Sequence, residues 1–149
     1  PGHCWMKGEG TQSVNRKRVL DSFALLAYLN GEAGHLMVKE ALRKAQETGE
    51  SILMNEVNIG ETYYILHRNR GREGAEYFLE TILPGLPIQP LSNDFELVIQ
   101  AARIKAEYPL SFADCFAVAS AQREGAAVLT GDPEFKRVEG IIQIEWLPA

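Results

Sequence analysis

The sequence predicts an α/β fold: a short, mostly parallel central sheet with helices on both faces, arranged as a three-layer sandwich. Three observations carry that prediction. Apolar runs of strand length alternate with longer stretches of helical period, and no internal repeat competes with that pattern. The 149 residues, 46% hydrophobic and 23% charged, also suit one domain that buries a core without disulfide staples. The same composition excludes disordered, collagenous and low-complexity classes. No apolar run approaches the ~18 residues of a membrane span.

Residues 1–15, rich in Gly, Ser, Thr and Gln without periodicity, are expected to form a flexible lead-in. Pro1–Trp5 reads as an appended remnant and Met6 as the true start. With no signal-peptide pattern, a soluble cytoplasmic protein without a membrane partner is expected, its single domain spanning 16–149. Arg18–Leu20 is a strand candidate that runs into Asp21-Ser22 and an apolar helix, Phe23–Leu29, stopped by Asn30-Gly31. Leu36, Val38, Ala41, Leu42 and Ala45 mark a second helix ending near Gly49. Ser51–Met54 is the next strand. Asn55 to about Arg68 is helical, Gly71 breaks it, and Gly74–Leu83 forms another helix before Pro84-Gly85. Leu86–Leu91 is extended. Asn93-Asp94 opens an amphipathic helix that Pro109 ends after Glu107, and Ser111–Glu124 is the most apolar helix, closed by Gly125. Ala127–Leu129 and Ile141–Leu147 are the last strands, the first ending at Thr130-Gly131-Asp132-Pro133.

Fifteen basic against twenty acidic residues give a net charge of −5, which excludes an electrostatic nucleic-acid coat. A nuclease stays open, because a bound cation inverts the field of the carboxylates that hold it. Cys4 and Cys115 make no framework, and Cys115 reads as a small core residue. His3, His35 and His67 are isolated and read as surface residues. No phosphate loop and no Gly-x-Ser-x-Gly elbow occurs. Phe23 stands where a haloacid-type phosphatase carries its second Asp.

Four acids remain. Asp21 ends the first strand and Asp132 follows Ala127–Leu129, where open α/β sheets place ligands beyond their carboxyl ends. Asp114 lies in the first turn of the most apolar helix. Glu61 has Val57 and Ile65 four residues to either side and Tyr64 three beyond, on an apolar face. Each acid has a plainer reading. Asp21 and Asp132 suit helix N-caps, while Ser111–Asp114 and Asn58–Glu61 fit capping-box spacing. Convergence of all four would raise their pKa values unless a cation neutralised them, and Mg²⁺ or Mn²⁺ suits such oxygen ligands. The residues alone lead to an acidic metal site and no further.

Those residues resemble the motifs of a known family. Val-Leu-Asp21-Ser-Phe-Ala-Leu-Leu-Ala-Tyr-Leu looks like the opening motif of PIN domains, small metal-dependent ribonucleases. Asn58-Ile-Gly-Glu61-Thr-Tyr-Tyr-Ile-Leu is similar to their glutamate-bearing helix. Ser111-Phe-Ala-Asp114-Cys-Phe-Ala-Val-Ala-Ser-Ala resembles their third motif, and Val-Leu-Thr130-Gly-Asp132-Pro-Glu-Phe135 their fourth. All four occur in order from Val19 to Phe135, and the compact length is most similar to VapC-type toxins. The resemblance implies that Asp21, Glu61, Asp114 and Asp132 form a catalytic, metal-binding quartet, with Asp21 and Asp114 the principal ion ligands. Thr130 takes a supporting hydroxyl position, which a strand-end β-branched residue would equally occupy, and Ser22 is a further supporting candidate. The implied reaction is Mg²⁺- or Mn²⁺-dependent endonucleolytic hydrolysis of RNA, the ion activating water.

Basic groups must admit a polyanion to this acidic protein. Arg68, Arg70 and Arg72 form the densest basic segment, and Arg16-Lys17-Arg18 the second. Lys136 and Arg137 lie closest in sequence to Asp132. All are RNA-contact candidates whose plainer reading is a solvated helix end. The resemblance also implies a homodimer and a small antitoxin protein, for which Tyr63, Tyr64, Tyr77 and Phe78 could supply surface unless they are core. Three functions are carried forward: the toxin of a toxin–antitoxin pair, a housekeeping PIN nuclease of RNA maturation or decay, and a non-catalytic PIN-like RNA- or protein-binding module.

Overall fold

The computed structural model describes residues 17–149. The expected lead-in, with Cys4 and His3, and Arg16 of the second basic segment therefore lie outside the described residues. Five strands form one sheet in the order β3-β2-β1-β4-β5, every pairing parallel. They are β1 (Arg18–Leu20), β2 (Ile52–Asn55), β3 (Ile88–Leu91), β4 (Ala127–Thr130) and β5 (Ile144–Trp146). Parallel strands need crossover connections, which five helices supply from β1 as far as β4, a 3₁₀ segment joining β4 to β5: α1 (Ser22–Asn30), α2 (His35–Thr48), α3 (Glu56–Tyr77), α4 (Phe95–Glu107) and α5 (Phe112–Glu124).

Alternation along each strand divides the core into two. Leu20, Ile52, Met54, Ile88 and Leu129 face Ala24, Leu25, Val38, Leu42, Ile59 and Phe78. Val19, Leu53 and Val128 face Leu97, Ala101, Ile104, the apolar side of α5 and Phe135. Helices thus cover both faces of a wholly parallel sheet, as its fully buried β4 requires. Among the described residues no helix is long and apolar enough to cross a membrane.

Local chemistry sets most boundaries. Gly31 and Gly125 close α1 and α5 in the left-handed region. Asp94, not Asn93, caps α4 through the Leu97 N–H. The second strand runs one residue later than the Ser51–Met54 expectation, because Asn55 both ends β2 and caps α3 through the Val57 N–H. Asn58–Glu61 is consequently no capping box, since both residues lie inside α3. Gly71 does break the helix: its φ of 79° and ψ of 175° kink α3 there. Beyond the kink, Phe78–Ile82 widens into π-helical turns before a 3₁₀ turn at Leu83–Gly85. The last strand is shorter than Ile141–Leu147, as Ile141 and Ile142 turn back onto the 3₁₀ segment Pro133–Val138 by donating to the Val138 carbonyl.

Gly34 illustrates how closely the C-terminal segment is seated. It caps α2 at φ +86°, and an added Cβ would stand 2.8 Å from Leu147 Cβ. Gly34→Ala is expected to cost about 1–3 kcal/mol in urea denaturation, from backbone strain plus overpacking.

Candidate active site

Strand order reverses between β1 and β4: the chain leaves β1 toward β2 and β3 on one side and returns through β4 and β5 on the other. Helices leaving such strands diverge and open a crevice at the sheet's carboxyl edge. Asp21 directly follows β1, and Thr130 and Asp132 lie at the end of β4, so both segments empty into that crevice. The N-terminal part of α3 adds Glu61 and the first turn of α5 adds Asp114.

A cleft of about 330 Å³ results, lined by Ser22, Phe23, Leu26, Glu61, Ile65, Ser111, Asp114, Asp132 and Glu134. Asp21 and Thr130 are buried behind it, at 1% and 0% exposure. Asp21 caps a helix, and its carboxylate also reaches the end of β4. One carboxylate oxygen accepts from the Ala24 N–H at 2.9 Å and caps α1, while the other accepts from the Thr130 hydroxyl at 2.5 Å. Thr130 Oγ1 in turn accepts from the Asp132 N–H at 3.0 Å. That hydroxyl ties the ends of two adjacent strands together. Asp132 caps the 3₁₀ segment through the Glu134 N–H, and Ser111 caps α5 through the Asp114 N–H. Ser22 donates to Glu61, so the residue after the first acid holds the second.

Electrostatics show the site's tension. Burial pushes the Asp21 carboxyl up to about 7 from 3.8; Thr130 and the Ala24 N–H lower it, and the charges of Asp114 and Asp132 raise it further. Asp114 is pushed up to about 6, first by burial and then, against the Ser111 hydroxyl, by Asp132, Glu61 and Glu134. Among the described residues, no Lys or Arg forms an ion pair with Asp21, Glu61, Asp114 or Asp132. Nor do three acid, imidazole or thiol side chains there stand close enough to share one ion as they are placed. The donor set nevertheless suits a hard divalent cation: it is all oxygen, and it is held from four chain segments around one cleft. Thr130→Val should be about 1–3 kcal/mol less stable to urea, since it leaves the Asp132 N–H and an Asp21 oxygen without their partner.

Glu134 escaped the sequence reading, although Asp132 as cap and Pro133 after it place Glu134 in the first turn of the 3₁₀ segment. The basic candidates lie outside the cleft lining. Arg68 sits over the Tyr64 ring at 4.9 Å, Arg70 donates to Asn30 at the end of α1, and Arg72 lies past the Gly71 kink. Lys136 is exposed, and Arg137 donates to the Pro109 carbonyl and Glu134. Arg18 and Lys17 are at the opposite end of β1 from the acids, where they pair with Glu145 at 2.7 Å and Glu124 at 4.0 Å. Lys17 and Arg18 therefore do not line the cleft. Phe78 is core, Tyr63 is half-buried with its hydroxyl on Glu76, and Tyr64 and Tyr77 are exposed. His67 is exposed, the half-buried His35 has its ring Nδ1 on the Glu32 carbonyl, and Cys115 is buried and free.

The family model of the PIN domain matches residues 18–141, from the first strand to just past the 3₁₀ segment. The chain belongs to the PIN domain family. Solved structures share the fold. This PIN domain matches VapC20 of Mycobacterium tuberculosis, a sarcin-ricin loop cleaving toxin, over 89% of this chain and 100% of that one, with a TM-score of 0.64 at 19% identity. DNA-bound VapBC from Salmonella typhimurium gives a TM-score of 0.68 at 20% identity over 87% of this chain and 97% of that one. A toxin–antitoxin complex from Klebsiella pneumoniae gives 0.55 at 15% identity over 84% and 92%. No curated protein matches the chain in sequence.

Proposed function

We propose that this PIN domain is a divalent-metal-dependent endoribonuclease, with Mg²⁺ or Mn²⁺ as its ion, and that it is the toxin of a toxin–antitoxin pair. One observation carries the reading. Acids from four separate segments gather at the switch point of the sheet, and two of them have pKa values raised by burial and by one another, with no Lys or Arg among the described residues paired to them. Structures of toxins and toxin–antitoxin complexes with the same fold support the biological setting. By that analogy the active form is a cytoplasmic homodimer held in check by a small antitoxin protein. The single domain spans 16–149.

Asp21 and Asp114 are the principal ion ligands, and Glu61 and Asp132 complete the set directly or through water. When bound, the ion lowers the pKa of a water molecule and stabilises charge at phosphorus. The rest falls to the chain. Thr130 fixes the Asp21 carboxylate through a hydroxyl donor and fixes Asp132 through its backbone. Ser22 fixes Glu61, and Ser111 starts the helix that presents Asp114. Arg68, Arg70, Arg72, Lys136 and Arg137, outside the cleft lining, are the proposed contacts for flanking phosphates.

Cleavage of a panel of structured RNAs with Mg²⁺ or Mn²⁺ tests the reading. Asp21→Asn and Asp114→Asn are each expected to lose ~100-fold or more of the wild-type rate, and EDTA to abolish it. Equal cleavage by all three proteins would overturn the assignment.

A further inference from the structure

The polar residues of the cleft account for a phosphate and its ion, but three of the lining side chains are apolar: Phe23, Leu26 and Ile65. Phe23 is 43% exposed, although it follows the buried Asp21 and Ser22 directly. Its ring nonetheless lies close against the Gly131 backbone. A Cβ on Gly131 would stand 2.6 Å from Phe23 Cε1 and 3.2 Å from Cδ1, and Leu147 Cβ would close the remaining side at 3.3 Å. Gly131 has no left-handed φ to explain it, so glycine is needed there because the ring lies against the backbone. That backbone joins Thr130 to Asp132. One edge of Phe23 is thus seated on the loop that carries two site residues, and much of the ring is left to solvent in the cleft wall.

We propose that Phe23 is a stacking platform for the unpaired nucleobase adjoining the phosphate presented to Asp21, Glu61, Asp114 and Asp132. The inference rests on the nuclease reading above and assigns to Phe23 the part of holding an unpaired base beside the cleaved phosphate. Carboxylates can engage a base only through its N–H donors, whereas every base has a π-face that an aromatic ring can hold without regard to sequence. A base in a duplex is already stacked on both faces and cannot use the platform. Phe23 is a specificity-determining residue in this scheme, with Gly131 its support.

The test compares Phe23→Leu, Phe23→Tyr and Phe23→Trp, each first checked for a wild-type thermal unfolding midpoint. On an unstructured oligoribonucleotide with a fluorophore and quencher, Phe23→Leu should lose roughly tenfold in kcat/KM, as base–aromatic stacking energies imply. Phe23→Tyr should cleave like wild type, a rescue that simple packing against Gly131 would not demand of an aromatic. In EDTA, where nothing is cleaved, the same oligoribonucleotide should quench the added emission of Phe23→Trp, and a blunt RNA duplex should not. Wild-type cleavage by Phe23→Leu overturns the platform, and so does the absence of quenching; Phe23 would then serve a protein partner or none. If wild type cleaves no RNA, or Asp21→Asn cleaves equally well, the nuclease reading fails, and the quenching arm still decides whether a base stacks at this position.

Discussion

Asp21→Asn is expected to leave the protein inactive and, above pH 7, more stable than wild type. The folded carboxyl keeps its proton up to about 7, whereas an unperturbed one releases it near 3.8. Between those values the folded state binds more protons than the unfolded state, so stability falls as pH rises through the window. Above it, wild type carries a charge it has buried at 1% exposure. Asparagine keeps an oxygen for the Ala24 N–H and offers an N–H to Thr130 Oγ1, without the charge. The gain should approach about 4 kcal/mol at pH 8, less about 1 kcal/mol for the Thr130 hydroxyl that loses its acceptor, and be small at pH 4, read from urea denaturation in EDTA at both pH values. Asp114, at about 6, adds the same sign over a narrower range. A divalent ion at a hundredfold excess over its Kd should stabilise wild type by about 2.7 kcal/mol at pH 8 and the variant far less. Equal stability of the two proteins at pH 8 without metal would show that the buried charge is not the strain described here.

Asn55→Leu should be the most damaging single change outside the acids. Asn55 is fully buried, and its side chain makes four hydrogen bonds. It accepts from the Val57 N–H at 2.8 Å and from Asn93 Nδ2 at 3.1 Å, and donates to Asn93 Oδ1 at 2.7 Å and Ser120 Oγ at 2.9 Å. Leucine removes the α3 cap, which is worth about 1 kcal/mol, and strands the buried Ser120 hydroxyl and the Asn93 amide at about 1–3 kcal/mol each. A loss of about 3 kcal/mol or more is therefore expected in urea denaturation. Cleavage should weaken as well, because the same cap sets the start of the helix that presents Glu61. Ser120→Ala, which removes one bond, should cost only about 1 kcal/mol.

The three-layer fold was legible because alternation and strand length report burial on both faces, and because glycines at 31 and 125 mark helix ends by their backbone needs. Asp21, Asp114 and Asp132 were legible for a related reason: each terminates a strand or opens a helix, where local sequence fixes position. Glu61 could be placed on an apolar face, but its hold on Ser22 joins residues 39 apart, and no spacing encodes that. Asn55 looked like the first residue of a helix because its strand pairing is a tertiary fact. Phe23 and Gly131 each read as ordinary; only their contact gives them meaning. The widening of α3 into π-helical turns has no local signal in Phe78–Ile82. The basic segments were read from charge density alone, which cannot tell the two ends of a three-residue strand apart, and so Arg18 was grouped with the candidates.

The position of β1 has a consequence for how the molecule comes into being. It is the first strand among the described residues and the central strand of the sheet, yet its longest register, Arg18↔Ala127 through Leu20↔Leu129, is with β4, while a single register pair joins it to β2. Contacts of such sequence separation form late and slowly. A nascent chain that stops short of residue 127 already contains Asp21, Glu61 and Asp114, but it has no Thr130 to hold the first of them, 109 residues away, and no crevice to gather the rest. The carboxylates remain scattered until the C-terminal segment folds against the beginning of the chain. Whatever chemistry they perform, it requires the segment from residue 127 onward to have folded against β1.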